Sequence, residues 1–243
     1  MDKKTKRKVY EMKKKIPKQI YLFALILMLF EVSLSMDVFA LDFQNTDQDL
    51  KQKVSLIQKR FQSISSFSGN FIQTSFRNDE DSSVIVAEGR VSFLRHGKMR
   101  WDYQTPEEQL LVTDGETVWL YDPLMENVTV QQLSKITEVT ALDFLLGVGD
   151  LNQDFIPRSL SRELLKSHQG IVVELKPKKK LANLDFIQIE VHQENHHLKT
   201  LLLMDRLGNY RTIVFKSMEY NLDLKENLFQ FKIPEGMEVL KAE

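Results

Sequence analysis

The side chains best suited to metal chemistry form a histidine-rich tract at the end of a predicted strand, 184–193. The tract contains His192, Glu194, His196 and His197, and imidazole and carboxylate groups are ligands for zinc and nickel. These residues also continue the polar side of that strand into a turn, as a solvated hairpin tip does. We favour the hairpin tip and predict no metal ligand, with a metal site as the alternative.

No other set of reactive side chains predicts catalysis. None of the nine glycines lies in the G-x-S-x-G turn that exposes the serine of a hydrolase. Gly147 and Gly149 resemble the start of a nucleotide-binding loop, but no strand-loop-helix pattern surrounds them. Neighbouring carboxylates such as Glu107 and Glu108 stand beside predicted turns, which is typical of surface charges. We therefore expect neither an enzyme nor a bound cofactor.

Arg95 is a polar side chain whose position suggests a specific function. In the predicted strand 83–95 it shares parity with Val91 and Phe93, so it points toward the apolar side. A buried unpaired charge is costly, and the five N–H donors of arginine suit the open carbonyls at a helix end. The alternative is that Arg95, at the end of its strand, bends into water.

Two amphipathic helices are predicted to accompany this apolar side. The first spans residues 45–64, where apolar side chains recur every three or four residues. The second spans 137–147 and carries Leu142, Leu145 and Leu146 on one side. Because each helix has one apolar face, we expect both to pack on another layer. The stripe of the first helix consists of Leu50, Val54, Ile57, Phe61 and Ile64.

Beyond Ser68 the apolar period changes from 3.6 to 2, which predicts strands separated by short turns. Local connections favour a mainly β (α+β) fold in which an antiparallel sheet curls into an incomplete barrel, or half-barrel, beneath a helical lid. The pattern leaves open whether the interior is filled by side chains or encloses a hydrophobic cavity. The predicted strands are 69–77, 83–95, 98–104, 108–114, 116–121, 127–132, 153–160, 170–176, 184–193, 197–204, 210–217 and 228–233.

Residues 1–40 have the features of a cleaved signal peptide. A basic stretch precedes an apolar run of eleven residues, Ile20–Phe30, and Val38-Phe39-Ala40 places small residues where signal peptidase requires them. Eleven helical residues rise only about 16 Å, too little for a hydrocarbon core of roughly 30 Å. A retained membrane anchor is the alternative, because the basic stretch is unusually long. We expect export to the periplasm, with residues 41–243 forming one domain.

The charge of the exported part excludes one class of partner. Residues 1–40 hold nine of the 33 basic and four of the 34 acidic residues, so the rest has 24 basic against 30 acidic residues, a net charge of −6. Nucleic-acid binding needs a basic face, so no nucleic-acid partner is expected. The chain has no cysteine, which excludes the lipid attachment that anchors bacterial lipoproteins.

The order of several segments resembles the LolA family of periplasmic outer-membrane lipoprotein carriers. No single motif is diagnostic, but the ordered set is fairly specific, and it covers nearly all of the chain after residue 40. The strongest block is Val112–Pro123. The other segments, in chain order, are Phe67–Gln73, Glu88–Arg95, Met99–Tyr103, Thr105-Pro106, Asn127–Val130, Leu175–Lys178, Asp205–Asn209 and Phe229–Gly236.

The resemblance implies a carrier that takes lipoprotein acyl chains from an inner-membrane ABC release complex and passes them to an outer-membrane lipoprotein acceptor. We expect a monomer. By its distance from Trp101, Arg95 corresponds to the family's arginine that holds the lid shut through backbone carbonyls. His96 departs from the family, many members of which have proline there. The residues expected to line the lipid cavity are Phe71, Val91, Phe93, Trp101, Trp119, Leu142, Leu145, Leu146, Ile189 and Phe215.

Two other functions are alternatives to carriage. A periplasmic domain that senses lipid or lipoprotein could use the same fold, but it would need a further partner-binding domain, for which the short tail after Pro234 leaves no room. A lipid-metabolising enzyme would need a nucleophile that the sequence does not provide. Carriage of acyl chains is therefore the function that the sequence favours.

Overall fold

An amphipathic helix over residues 47–62, here α1, opens the described part of the chain. The computed structural model describes residues 47–79, 82–135, 149–161, 164–165, 170–181 and 183–241. The chain divides into two compact units, Met1–Gln48 and Asp49–Glu243, and almost all of the described residues belong to the second. The expected signal peptide and the second predicted helix, 137–147, lie outside the described residues. No helix in the described ranges is long and apolar enough to cross a membrane.

Twelve strands follow α1, close to the predicted segments except near the C-terminus. A four-residue helix, Leu151–Asp154 (α2), precedes the seventh strand, and the side chain of Asp150 caps its first amides. Two 3-10 turns lie at Leu133–Lys135 and Glu226–Phe229. The strands are β1 (Ser66–Phe76), β2 (Val84–Leu94), β3 (Lys98–Thr105), β4 (Gln109–Asp114), β5 (Thr117–Asp122), β6 (Asn127–Gln132), β7 (Phe155–Arg158), β8 (Gly170–Pro177), β9 (Phe186–His192), β10 (Leu198–Met204), β11 (Tyr210–Tyr220) and β12 (Glu238–Lys241).

All twelve strands belong to one open sheet in the order β12-β6-β5-β4-β3-β2-β1-β11-β10-β9-β8-β7. Two runs of antiparallel neighbours, β1–β6 and β7–β11, are joined where β1 pairs with β11, for example Phe71 with Phe215. Among the strands of the described residues, only β12 pairs in parallel, with β6. The predicted mainly β fold built on an open antiparallel sheet is confirmed.

The inner face of the sheet, defined here as the face that α1 covers, holds the main core. Val54, Ile57 and Phe61 of α1 are buried, as the helical stripe predicts. Opposite them, the ring of Phe93 is fully buried, stacks on Phe67 at 5.0 Å and lies 6.3 Å from Phe61. The helix is therefore held mainly by apolar burial against the middle strands.

The predicted strand 228–233 is wrong. Glu226–Phe229 forms a 3-10 turn, and the following residues lie across the outer face of the sheet. There Phe229 is fully buried, and the Phe231 ring lies 6.4 Å from Trp119 and 5.6 Å from Tyr121. Phe229 and Phe231 bury their apolar side chains by packing on a sheet face, and their segment does not pair with a neighbouring strand among the described residues.

The outer face of β8–β10 is also covered, although the sequence predicts it to be solvated. Gln188 and Glu174 are fully buried there, and Glu190 nearly so. The Glu174 carboxylate accepts hydrogen bonds from Arg158, from Gln188 and from the backbone N–H and hydroxyl of Ser161. Because every buried oxygen of this carboxylate has a donor, the charge is tolerated inside the protein.

Glu174→Ala is expected to lower the free energy of unfolding by about 2–3 kcal/mol, because it leaves several donors without their acceptor. Denaturation by urea measures the change. The matched control is Asp185→Ala, since Asp185 forms a 3.6 Å ion pair with Lys176 in which both side chains are more than a third exposed. The control should change stability by less than about 1 kcal/mol; equal losses in the two variants would refute the role given to Glu174.

Candidate functional site

The guanidinium of Arg95 binds the C-terminal end of α1. Its Nε donates to the carbonyl of Ile64 at 3.0 Å, and Nη2 donates to the carbonyls of Phe61 at 2.8 Å and of Ile64 at 2.7 Å. The last carbonyls of a helix lack partners within the helix and lie at the negative end of its dipole. A delocalised cation with several donors therefore suits this position.

The pairing of β1 with β2 brings Arg95 to this place. Ser66 and Leu94 are opposite each other at the ends of these strands, so the chain leaving β2 meets the chain that joins α1 to β1. The backbone N–H of Arg95 donates to the carbonyl of Ser65 at 2.9 Å. The side chain thus extends along the inner face beneath α1, on the side that parity in β2 indicates. Its function as a latch stays a prediction.

Six of the predicted lining residues lie together on the inner face and are buried: Phe71, Val91, Phe93, Trp101, Ile189 and Phe215. Their centre is an aromatic group around Phe71, whose ring lies 4.8 Å from Trp101 and 5.1 Å from Tyr103. Trp101 in turn meets Phe215 edge-on at 6.2 Å. The inner face beside Arg95 is thus continuous, apolar and aromatic.

Trp119 lies on the opposite face from Trp101, which corrects its expected place in this group. Along the sheet, Trp101 faces Leu111, whereas Trp119 faces Val112. Directly paired side chains share a face and successive ones alternate, so Trp119 is on the outer face. There it packs near Phe231. The other predicted lining residues, Leu142, Leu145 and Leu146, lie outside the described residues.

A cavity of about 520 Å³ opens where β1, β2, β10 and β11 reach one end of the sheet. This volume falls in the range of small-molecule sites. Its lining combines apolar side chains, among them Ile85, Leu184 and Leu203, with the cations Arg77 and Arg211. Sequence analysis did not single these residues out, although the parity of Arg211 with Ile213 and Phe215 could have indicated that it faces inward.

A polar pair lies on the same face near this end. The hydroxyl of Tyr103 donates to Gln73 Oε1 at 3.1 Å. Burial raises the pKa of Tyr103 above its ordinary value, against the opposing effect of Arg211. Tyr103 therefore remains a neutral donor at physiological pH, and with Gln73 it adds a fixed hydrogen-bonding position to the largely apolar inner face.

The histidine-rich tract does not converge on a metal position. Among the residues with described placement, no three His, Cys, Asp or Glu side chains are arranged to hold a metal ion. The His197 ring instead stacks on Tyr220 with a centroid distance of 3.9 Å, and its Nε2 contacts Arg60 of α1. The tract is therefore engaged with the helix that Arg95 binds.

The chain is similar to known proteins in sequence and, more distantly, in structure. Residues 62–232 match the sequence model of the family described as "Outer membrane lipoprotein carrier protein LolA". An outer-membrane lipoprotein carrier protein of Azotobacter vinelandii is 31% identical over 211 residues, which are 86% of this chain and 96% of that protein. One from Nitrosomonas europaea is 32% identical over 176 residues, 72% of this chain and 82% of its own length. A solved LolA superfamily structure from Nitrosomonas europaea superposes with a TM-score of 0.42 at 14% identity, covering 72% of this chain and 96% of that one.

Proposed function

The chain belongs to the LolA family of outer-membrane lipoprotein carrier proteins, and on that premise we propose that it binds lipoprotein acyl chains on the inner face of its sheet. The observation that carries this proposal is the apolar face beneath α1, closed at one end by the three hydrogen bonds of Arg95. A face of this kind can shield an acyl chain once the helix moves aside. On this proposal, the inner face is the binding surface and α1 is its displaceable cover.

The free energies explain why such a carrier is needed. A buried methylene group is worth about 0.8 kcal/mol, so exposing one sixteen-carbon chain to water costs on the order of 12 kcal/mol. A free lipoprotein therefore cannot cross an aqueous compartment at a useful concentration. Carriage requires burial and release only, so the proposed function needs no covalent chemistry.

The cover must be strong enough to close the empty protein and weak enough to yield to cargo. Hydrogen bonds to a charged group contribute about 1.5–3 kcal/mol each at most, which is less than the burial of one acyl chain offers. Opening α1 therefore lowers the net affinity for cargo without preventing binding. Net transfer then follows from a higher affinity at the acceptor.

Membership of the LolA family also suggests the partners of the chain and the compartment in which it acts. We propose that an inner-membrane ABC lipoprotein-release complex loads the chain, that an outer-membrane lipoprotein acceptor unloads it, and that both events take place in the periplasm after removal of residues 1–40. Charged side chains on the exposed face of α1, such as Lys59, are accessible to such partners, because burial on this helix is confined to the apolar stripe and Gln58.

The two tryptophans of the chain allow a direct test, because Trp101 is on the inner face and Trp119 on the outer face. Bromine quenches tryptophan emission only at close range. A brominated fatty acyl chain should therefore quench the Trp119→Phe variant, in which Trp101 is the remaining fluorophore. The same titration should leave the emission of Trp101→Phe nearly unchanged.

Each variant is the control for the other, because each carries one tryptophan in the same fold and the two tryptophans are on opposite faces. An unbrominated acyl chain of equal length corrects for changes in the environment of the fluorophore. Equal quenching of both variants, or quenching of Trp119 alone, would place the ligand elsewhere and refute binding on the inner face.

A further inference from the structure

Helix α1 is held from a second side, where its Arg60 contacts a stack of two rings, those of His197 and Tyr220. Arg60, one position before Phe61, directs Nη2 to Nε2 of His197. The His197 ring lies against the ring of Tyr220, with centroids 3.9 Å apart and planes inclined by 22°. Arg60 is only partly exposed, and its Nη1 also donates to the hydroxyl of Ser63 at 3.3 Å. The guanidinium is therefore fixed between its own helix and the sheet.

The stack and Arg95 lie on opposite sides of the same helix end. His197 immediately precedes β10, Tyr220 ends β11, and Arg95 follows β2. Because the strand order is β2-β1-β11-β10, the end of α1 spans four neighbouring strands and is fixed at both margins. A backbone hydrogen bond fixes His197 relative to β9, because its carbonyl accepts from the backbone N–H of His192 at 2.9 Å.

We propose that Arg60, His197 and Tyr220 form a second clasp on α1, which is closed while His197 is neutral and opens when His197 takes up a proton. The view of α1 as a movable cover rests on the proposed carrier function. His197 is here a positioning residue, acting on the cover and not on the cargo.

The hydrogen-bond chemistry requires this dependence on protonation. A guanidinium has donors only, so Nε2 of His197 must be the acceptor, which places the ring proton on Nδ1. A proton on Nε2 removes the acceptor and sets two cations against each other. Within the part of the chain that the structure describes, the charged or titratable groups that face His197 are Arg60 from α1, His192 from β9 and Tyr220 from β11.

The electrostatic environment agrees with this geometry. Burial, then Arg60, then His192 lower the pKa of His197 below its ordinary value of 6.5. Burial raises the pKa of Tyr220 to about 12, so Tyr220 stays neutral throughout the range in which His197 titrates. The clasped state binds fewer protons than the open state; its stabilisation is therefore complete above pH 6.5 and decreases as the pH falls below that value.

Hydrogen exchange of the α1 amides, 47–62, tests the clasp without any ligand. His197→Gln retains an acceptor oxygen but cannot titrate, and His196→Gln is the matched control on the same turn. At pH 7.5 the wild type and His197→Gln should exchange alike. At pH 5.5 the wild type and His196→Gln should exchange α1 amides faster than His197→Gln, by up to about tenfold, the limit set by the interval between pH 5.5 and the ordinary imidazole pKa of 6.5. Comparing variants at one pH removes the intrinsic pH dependence of exchange.

Equal α1 exchange in the wild type and His197→Gln at pH 5.5 would overturn the proposal, as would a His196→Gln variant that behaves like His197→Gln. NMR titration of His197 in the wild type gives a second measurement if a variant fails to fold: its pKa should lie below 6.5 and rise in Arg60→Gln. Failure of the tryptophan quenching test would reject the carrier proposal and leave this exchange result unaffected.

Discussion

Replacing Arg95 by leucine is expected to leave acyl loading intact and to prevent hand-over to an acceptor. The substitution removes three hydrogen bonds to the carbonyls of Phe61 and Ile64, which stabilise the closed, empty protein. Their loss weakens closure by on the order of 2–4 kcal/mol, which shifts the balance toward the loaded state. Release of a bound acyl chain to acceptor vesicles should therefore slow by at least about tenfold, measured as transfer over time.

Arg100→Leu is the matched control for this experiment. Arg100 lies only five positions away but forms its ion pair with Asp102 on the outer face, with Nη2 2.8 Å from Oδ1. It should transfer cargo at the wild-type rate. Normal transfer by Arg95→Leu would remove Arg95 from the mechanism, and slow transfer by both variants would indicate a general loss of positive charge.

The Phe93→Ala substitution is expected to reduce the free energy of unfolding by about 3–5 kcal/mol. Phe93 is fully buried between the sheet and α1, where it stacks on Phe67 and approaches Phe61. Truncation removes these contacts and leaves a void that packed neighbours fill only in part. Urea denaturation should show a lower midpoint at an unchanged slope.

Phe76→Ala tests whether position in the core is what matters. Phe76 is also paired with an aromatic ring, that of Tyr210 at 4.9 Å, but it is partly exposed at the end of β1. Phe76→Ala should lower the free energy of unfolding by roughly 1 kcal/mol, because truncating a partly exposed side chain leaves no enclosed void. If Phe93→Ala lowered the free energy of unfolding no more than Phe76→Ala does, the inner face could not be the main core of the protein.

The covered outer face has a consequence for the inner one. The C-terminal residues pack over β3–β5, and the Glu174 network lies on the outer side of β8 and β9. The sheet is thereby stabilised from the side away from α1. The proposed movement of α1 would need such support, because opening the helix would withdraw apolar contacts from the inner face.

Local patterns were sufficient for most of the secondary structure. The helical stripe of Val54, Ile57 and Phe61 and the alternation in β2 each arise because one side of the segment is buried. The spacing of apolar residues within that segment is enough to reveal this side. The same alternation failed at Phe229 and Phe231. A period of two indicates that one side is buried, but it does not distinguish a strand within a sheet from an extended segment lying across one.

The sequence by itself determined the β class and the apolar side of each long strand, because these follow from spacing along the chain. Parity also indicated an inward direction for Arg95, but it left open a side chain that bends into water. Only the tertiary structure decided which strands are neighbours, and therefore which faces coincide. The pairing of β1 with β11, the opposite faces of Trp101 and Trp119, and the contact of Arg60 with His197 all join residues far apart in the chain. Such contacts depend on sheet register and on long-range packing, which no local period records.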